Sequence, residues 1–435
     1  MHRIIASPQE LASRRRERLE GRVPRVAVMP YFVVSDGVLK PLFGRKVTVR
    51  LIELLASVDD LLVINAASLL DTSPRTEPRV VGQSLGADFV LKGQICRADQ
   101  ELYFSQSLHD VRSGEVALTR TVTCSIGHLE DFERDVLSRV VATIRWPMRE
   151  ATITRLLRRR PRDATAYELG IQAQLAMHRM DKRSMDRARG YLVRASAIEP
   201  THAAAFAWLA RNHSIRVGQG WTQNRAEERR IASDLAERAV RLDGESAIAL
   251  ATAGHLRSYL HRDFEGAEEL LSRAIVACPN EPLGWLMLGA TLGYTGRGEE
   301  GLRLVRYGMS LSPADRFMFN FLCFGAICSY AAGDLEGARD LAASARALNP
   351  RYSTALKAQI VSLVGLGDVK EARAVAADLL QLEPGYPEVA AATVPFADPA
   401  DRELFLLRMR TAGVFERRRQ PRPVALAKSA ARARR

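Results

Sequence analysis

Pro282–Pro313 reads PLGWLMLGATLGYTGRGEEGLRLVRYGMSLSP. Trp285, Leu288, Gly289 and Leu292 share one face of a first helix. Gly296 marks a turn. Gly301, Val305 and Gly308 share one face of a second helix, and Pro313 stops it. Two antiparallel helices that approach closely need small side chains where they cross and large ones around the crossing. The stretch is therefore one helical hairpin, and its register can be looked for elsewhere.

The register recurs. Pro200, Gly244, Pro279, Pro313, Pro350 and Pro384 each close a second helix. Five residues before them stand Ala195, Ala239, Ala274, Gly308, Ala345 and Leu379. Twelve before stand Ala188, Ala232, Ala267, Gly301, Ala338 and Ala372. Small residues thus hold all but one of these positions. Gly296, Gly333 and Gly367 supply the turns of three hairpins. The wide interval between Pro200 and Gly244 implies an insertion of about ten residues around 217–224. This pattern resembles the tetratricopeptide repeat (TPR), with a period of about 34 residues. Six repeats are expected over 164–398, followed by a capping helix over 399–415 that covers the last apolar face.

Upstream the period changes. Val26–Phe32, Leu61–Asn65, Ala87–Ile95, Glu101–Asp110 and Glu115–Cys124 read as strands, the last two joined by a turn at 111–114. Helices are expected over 42–55, over Arg79–Leu85 and over Leu129–Trp146, the last closed by Pro147. That order predicts a compact mixed domain over 26–150, with helices covering one face of its sheet. A basic linker over 151–163 follows. The fold class is an α/β N-terminal domain, a mixed sheet with helices, followed by an all-α TPR solenoid.

The strings VAVMPY, LLVIN and LGADFVLKGQICRADQELYFSQSLHDVRSGE resemble the TolB N-terminal-like domain. In alphaproteobacterial regulators that domain lies between an effector and a TPR array. The effector is an adenylate cyclase domain or a CadC-like winged helix. The resemblance covers roughly residues 24–413 and implies a signalling or transcriptional role. No effector domain is expected in the 25-residue basic lead.

The net charge of +13 does not mark a binding face. Residues 1–25 carry seven Arg against three Glu, and residues 416–435 carry seven Arg and one Lys against one Glu, together +11 of the total. Nucleic acid is a partner only through these basic tails, the second of which reads as disordered. No apolar run approaches a membrane span and no secretory leader is seen, so a cytoplasmic location is expected.

No catalytic constellation emerges. HExxH, GxxxxGK[ST], GxSxG and a strand-linked GxGxxG are all missing. Asp36, Asp59 and Asp60 are not framed as a two-metal site. Cys323 and Cys328, five apart on a helix, point apart and make a poor metal pair. No enzyme activity, cofactor or metal is expected.

The inner face of the repeats is the expected binding surface for a protein or peptide, or for self-association. Projected positions are Leu256 and Tyr259 in the third repeat and Leu283, Leu286, Ala290 and Tyr294 in the fourth. Asn320, Ile327 and Tyr330 follow in the fifth, and Lys357 in the sixth. Leu283, Leu286 and Tyr294 are the residues packing leaves to meet a partner. Trp221, in the insertion, is a possible contact or a plug that seats the insertion.

Overall fold

The computed structural model describes residues 23–34, 41–59, 61–64, 73, 76–125, 136–157, 164–312 and 315–415. Most of the basic lead, the basic tail, Asp36, Asp60, Pro313 and the first residues of the expected Leu129–Trp146 helix lie outside them.

The α/β part is built on a sheet of β1 (Arg25–Val28), β2 (Phe32–Val34), β3 (Leu62–Val63), β4 (Phe89–Ala98), β5 (Glu101–Asp110) and β6 (Val116–Ser125). Its order is β3-β1-β4-β5-β6, with β2 also paired to β4. The pairs among β1, β2, β3 and β4 are parallel, and β4, β5 and β6 form an antiparallel meander. The single strand expected over Val26–Phe32 is interrupted. Val28 pairs with Leu91 and Phe32 with Gln94, so one extra residue is taken up at Met29–Tyr31. Pro30 lacks an N–H for a ladder there.

Strand alternation sends side chains to opposite faces. Val26, Val28, Phe89 and Leu91 pack beneath α1 (Pro41–Ala56) and α3 (Ser138–Leu157). Ala27, Met29 and Val90 pack with Val81 of α2 (Pro78–Leu85). Helices therefore cover both faces, not one, because α2 returns across the sheet before β4. The helix expected to stop at Pro147 continues to Leu157. Ile144 and Met148, buried on either side of the proline, anchor it in the domain core and outweigh the lost hydrogen bond. The expected boundary between residues 150 and 151 thus falls within α3.

The remaining chain folds as paired helices: α4 (Ala166–His178) with α5 (Lys182–Ile198), α6 (Ala203–Gly218) with α7 (Arg225–Leu242), and α8 (Ala247–Leu256) with α9 (Phe264–Ala277). Next come α10 (Pro282–Tyr294) with α11 (Gly298–Leu311), α12 (Met318–Ala331) with α13 (Leu335–Leu348), and α14 (Ser353–Gly365) with α15 (Val369–Leu382). The short α16 (Tyr386–Thr393) and α17 (Pro399–Thr411) close the array.

Small residues set the crossings. A Cβ on Gly289 would lie 2.6 Å from the Gly301 carbonyl oxygen, and one on Gly301 would lie 2.5 Å from the Gly289 carbonyl oxygen. Ala188, Ala232, Ala267, Ala338 and Ala372 are fully buried at the equivalent of Gly301. The long second repeat is explained by its helices. Helices α6 and α7 have 16 and 18 residues, against 13 and 14 in α10 and α11. The rest of the insertion is the loop 219–224.

Candidate functional site

The first helices of the pairs present their inner face to the centre of the array. Its first filling is the chain itself. Leu256, Leu286 and Ala290 lie in the main core of the array. Leu283 and Asn320 are also buried. Tyr294 is 2% exposed, and Tyr330 is buried beside Phe396. Tyr259 and Ile327 remain half-buried and line an inner pocket with Tyr294. Periodicity identified the inward face. It carried no information on what would meet that face from across the array.

The array curls until its first and last repeats touch. Gln219 Oε1 accepts from Ser353 N at 3.0 Å, and the Ser353 hydroxyl, with one proton to donate, lies 3.0 Å from both Gln219 Oε1 and Glu383 Oε2. Gln219 Nε2 donates to Thr354 Oγ1 at 3.1 Å. Helix α14 has no side-chain cap of its own, so Gln219 supplies it. Lys357 donates to the Gly218 carbonyl at 3.2 Å, pairs with Glu383 at 2.6 Å and sits 4.3 Å over the Tyr386 ring. Asn349 donates to the His178 carbonyl at 3.2 Å, and Arg351 pairs with Asp181 at 3.5 Å. Trp221 is half-buried and packs against the cluster that joins Met180 to Tyr352.

One segment of the chain lies along the inner face. Between α16 and α17, Ala397 N donates to the Tyr294 carbonyl at 2.7 Å, and Arg262 donates to the Val394 carbonyl at 2.8 Å. Phe396 is seated among Tyr294, Tyr330 and Phe405, with ring centroids 6.4, 5.8 and 5.9 Å away. Arg402 donates to the carbonyls of Phe396 and Ala397, fixing the segment from its other side.

The α/β part meets the array at its third and fourth repeats. Asp59 Oδ2 accepts from Ser246 Oγ at 2.9 Å and from Ile248 N at 3.3 Å, at the start of α8. Arg145 of α3 pairs with Glu281 at 2.8 Å, both side chains nearly buried. Between α3 and the repeats lies an open-mouthed pocket of about 90 Å³. Arg145 and Arg149, Trp208 and Arg211, Leu283, and Phe317 and Phe321 contribute to its walls.

The chemistry of the interior is that of buried, uncharged groups. Burial pushes the Tyr259 hydroxyl up to about 12 and the thiols of Cys278 and Cys328 to about 12. It also raises the Cys323 thiol. Such thiols are poor nucleophiles. Burial, and then the nearby Arg211, hold His255 down to about 3. Among the described residues no group of three or more His, Cys, Asp or Glu is placed to hold a metal ion. Also among them, no helix is long and apolar enough to cross a membrane.

Arg211, Gln219, Glu383 and the Val394–Ala397 segment escaped the sequence reading. Arg211 could have been found. It holds, in the second repeat, the register position filled by Leu256, Ala290, Ile327 and Val361 in later repeats. The insertion displaced it from the count. Nothing local distinguishes Gln219 or Glu383.

No protein-family model matches the chain. No curated protein matches it. Among solved structures, the Cut9–Hcn1 hetero-tetramer of the APC/C is similar at 13% identity, covering 64% of this chain and 51% of that chain, with a TM-score of 0.40. The chain therefore spans about half the length of the Cut9–Hcn1 chain it matches. YrrB, a TPR protein with an unusual peptide-binding site, is similar at 16% identity over 46% of this chain and 96% of that one, with a TM-score of 0.28. TolB from Acinetobacter baumannii is similar at 16% identity over 29% of this chain and 28% of that one, with a TM-score of 0.22.

Proposed function

We propose that the chain is a non-catalytic protein-interaction scaffold whose helical array takes an apolar segment of a partner protein along its inner face. One observation carries this reading: the chain's own Val394–Ala397 already lies there. Its main chain bonds to Tyr294 and Arg262, and Phe396 sits in an aromatic socket. A main-chain hydrogen bond with one anchored side chain is a general way to hold a peptide. A partner segment of similar chemistry would compete for the same socket, with Tyr294, Ile327, Tyr330 and Lys357 as its surroundings.

The test is affinity purification of the full chain from its native cell, beside Phe396→Ala. Loosening the internal segment should increase recovery of a specific partner. Recovery of no partner by either protein, together with substrate turnover by the purified chain, sinks the proposal.

A second reading follows from the VAVMPY, LLVIN and LGADFVLKGQI strings. Through them the chain resembles TolB-like regulators, and it would serve a winged-helix or cyclase effector that is separately encoded. Such an effector should co-purify with the chain or be encoded beside it. A native complex containing neither, from a locus encoding neither, removes this reading.

A further inference from the structure

Arg211 is a buried cation that no anion pairs with among the described residues. It is 6% exposed and lines the pocket between α3 and the repeats. Its Nε has no hydrogen-bond partner. Among the described residues, no hydrogen bond or ion pair reaches its guanidinium, which lies 5.8 Å over the uncharged face of Trp208. The two nearby carboxylates are engaged elsewhere. Glu281 Oε2 accepts from Arg145 at 2.8 Å and Oε1 from Leu283 N at 3.2 Å. Asp315 Oδ1 accepts from Phe317 N at 2.8 Å. Burial accordingly lowers the pKa of Arg211, with Tyr352 and then Asp315 and Glu281 opposing the shift. His255, close enough for Arg211 to disfavour its protonation, also leaves Nδ1 without a partner.

An unpaired guanidinium is among the costliest groups to bury. At this register the four later repeats satisfy the fold with Leu256, Ala290, Ile327 and Val361. Packing alone therefore does not call for Arg. The fork of N–H donors suits a planar carboxylate. Trp208, Ile248, Leu283, Phe317 and Phe321 give the same pocket apolar walls.

The geometry points to a binding site for a small organic carboxylate. A carboxylate would meet Arg211, and an aromatic or branched apolar body would fill the space between α3 and the inner face. The ligand would touch both the α/β part and the array, so its binding would tighten their union. This goes beyond protein binding along the Val394–Ala397 track and does not depend on it.

The experiment uses the full chain, Arg211→Met and Arg211→Lys. Thermal midpoints and Trp fluorescence are followed with indole-3-propionate, its uncharged amide, and N-acetyl-Leu-Phe with either a free or an amidated C-terminus. Arg211→Met should be more stable than wild type without ligand, because an uncompensated charge is removed. The free carboxylates should raise the wild-type midpoint and the amides should not. Arg211→Met should lose that protection, with affinity down roughly tenfold or more, and Arg211→Lys should regain part of it. Stronger protection by indole-3-propionate assigns a small molecule, and stronger protection by the free dipeptide assigns a chain terminus, either supporting the anion site. Equal protection by acid and amide, or none by any probe together with an Arg211→Met protein less stable than wild type, overturns it.

Discussion

Gln219 caps a helix that begins 134 residues after it: its Oε1 accepts the N–H of Ser353, and the Ser353 hydroxyl bridges between it and Glu383. This pair ties the end of α6 to the start of α14 and so joins the second repeat to the sixth. Gln219→Ala removes the cap and leaves Ser353 N unsatisfied in a buried site. The expected cost is about 1–3 kcal/mol, read from urea unfolding. Small-angle scattering should show a larger radius if the array opens. An unchanged midpoint would mean that packing alone closes it.

Lys357 and Glu383 form a nearly dry ion pair, with side-chain exposures of 12% and 3%. Lys357→Met leaves Glu383 buried with the Ser353 hydroxyl as its remaining donor, at an expected cost of roughly 3–5 kcal/mol. The double variant Lys357→Met, Glu383→Leu should recover most of that loss. A double-mutant cycle measures the difference, and additive losses would contradict a coupled pair.

Two left-handed glycines make a controlled comparison. Gly220 has φ +66°, and an added Cβ would lie 2.6 Å from a Glu383 carboxylate oxygen. Gly333 has φ +80° and nothing within 4 Å. Gly333→Ala should cost about 1–2 kcal/mol for its backbone conformation alone. Gly220→Ala should cost more, because it also dislodges the partner of Lys357. Equal denaturation midpoints would place Glu383 away from the loop in solution.

Acid should weaken the fold through His255. Its folded pKa is held to about 3, against an ordinary 6.5. Below that ordinary value the unfolded chain takes up a proton that the folded chain refuses. Stability is therefore full above about pH 6.5 and falls by about 1.4 kcal/mol per pH unit down to about pH 3 from this group. His178 and His213 are depressed too and add to the slope. His255→Phe should flatten the acid limb of stability against pH without abolishing it. Parallel curves for the two proteins would show His255 reaching solvent.

What the sequence disclosed was what recurs. Ala and Gly at fixed distances before each stop located every hairpin, because backbones can cross closely only where side chains are small. Alternation exposed the strands of the meander. What escaped depends on one-time meetings between distant segments. Pro147 reads as a stop until Ile144 and Met148 are seen buried on either side of it. Inward-facing residues such as Leu286 and Tyr294 read as open until the same chain fills the space before them. Trp221 reads equally as contact or plug, and its half-buried seat against the Met180–Tyr352 cluster depends on closure.

That closure changes how the array can come apart. A linear stack of repeats has two loose ends and can unzip from either, each unit relying only on its neighbours. Here the second repeat is also a neighbour of the sixth, through Gln219 and Ser353, Lys357 and Gly218. None of the second to sixth repeats can peel away before those bonds break. Hydrogen exchange should therefore report one cooperative block with nearly uniform protection across α6 to α15, in place of the graded fraying of an open solenoid.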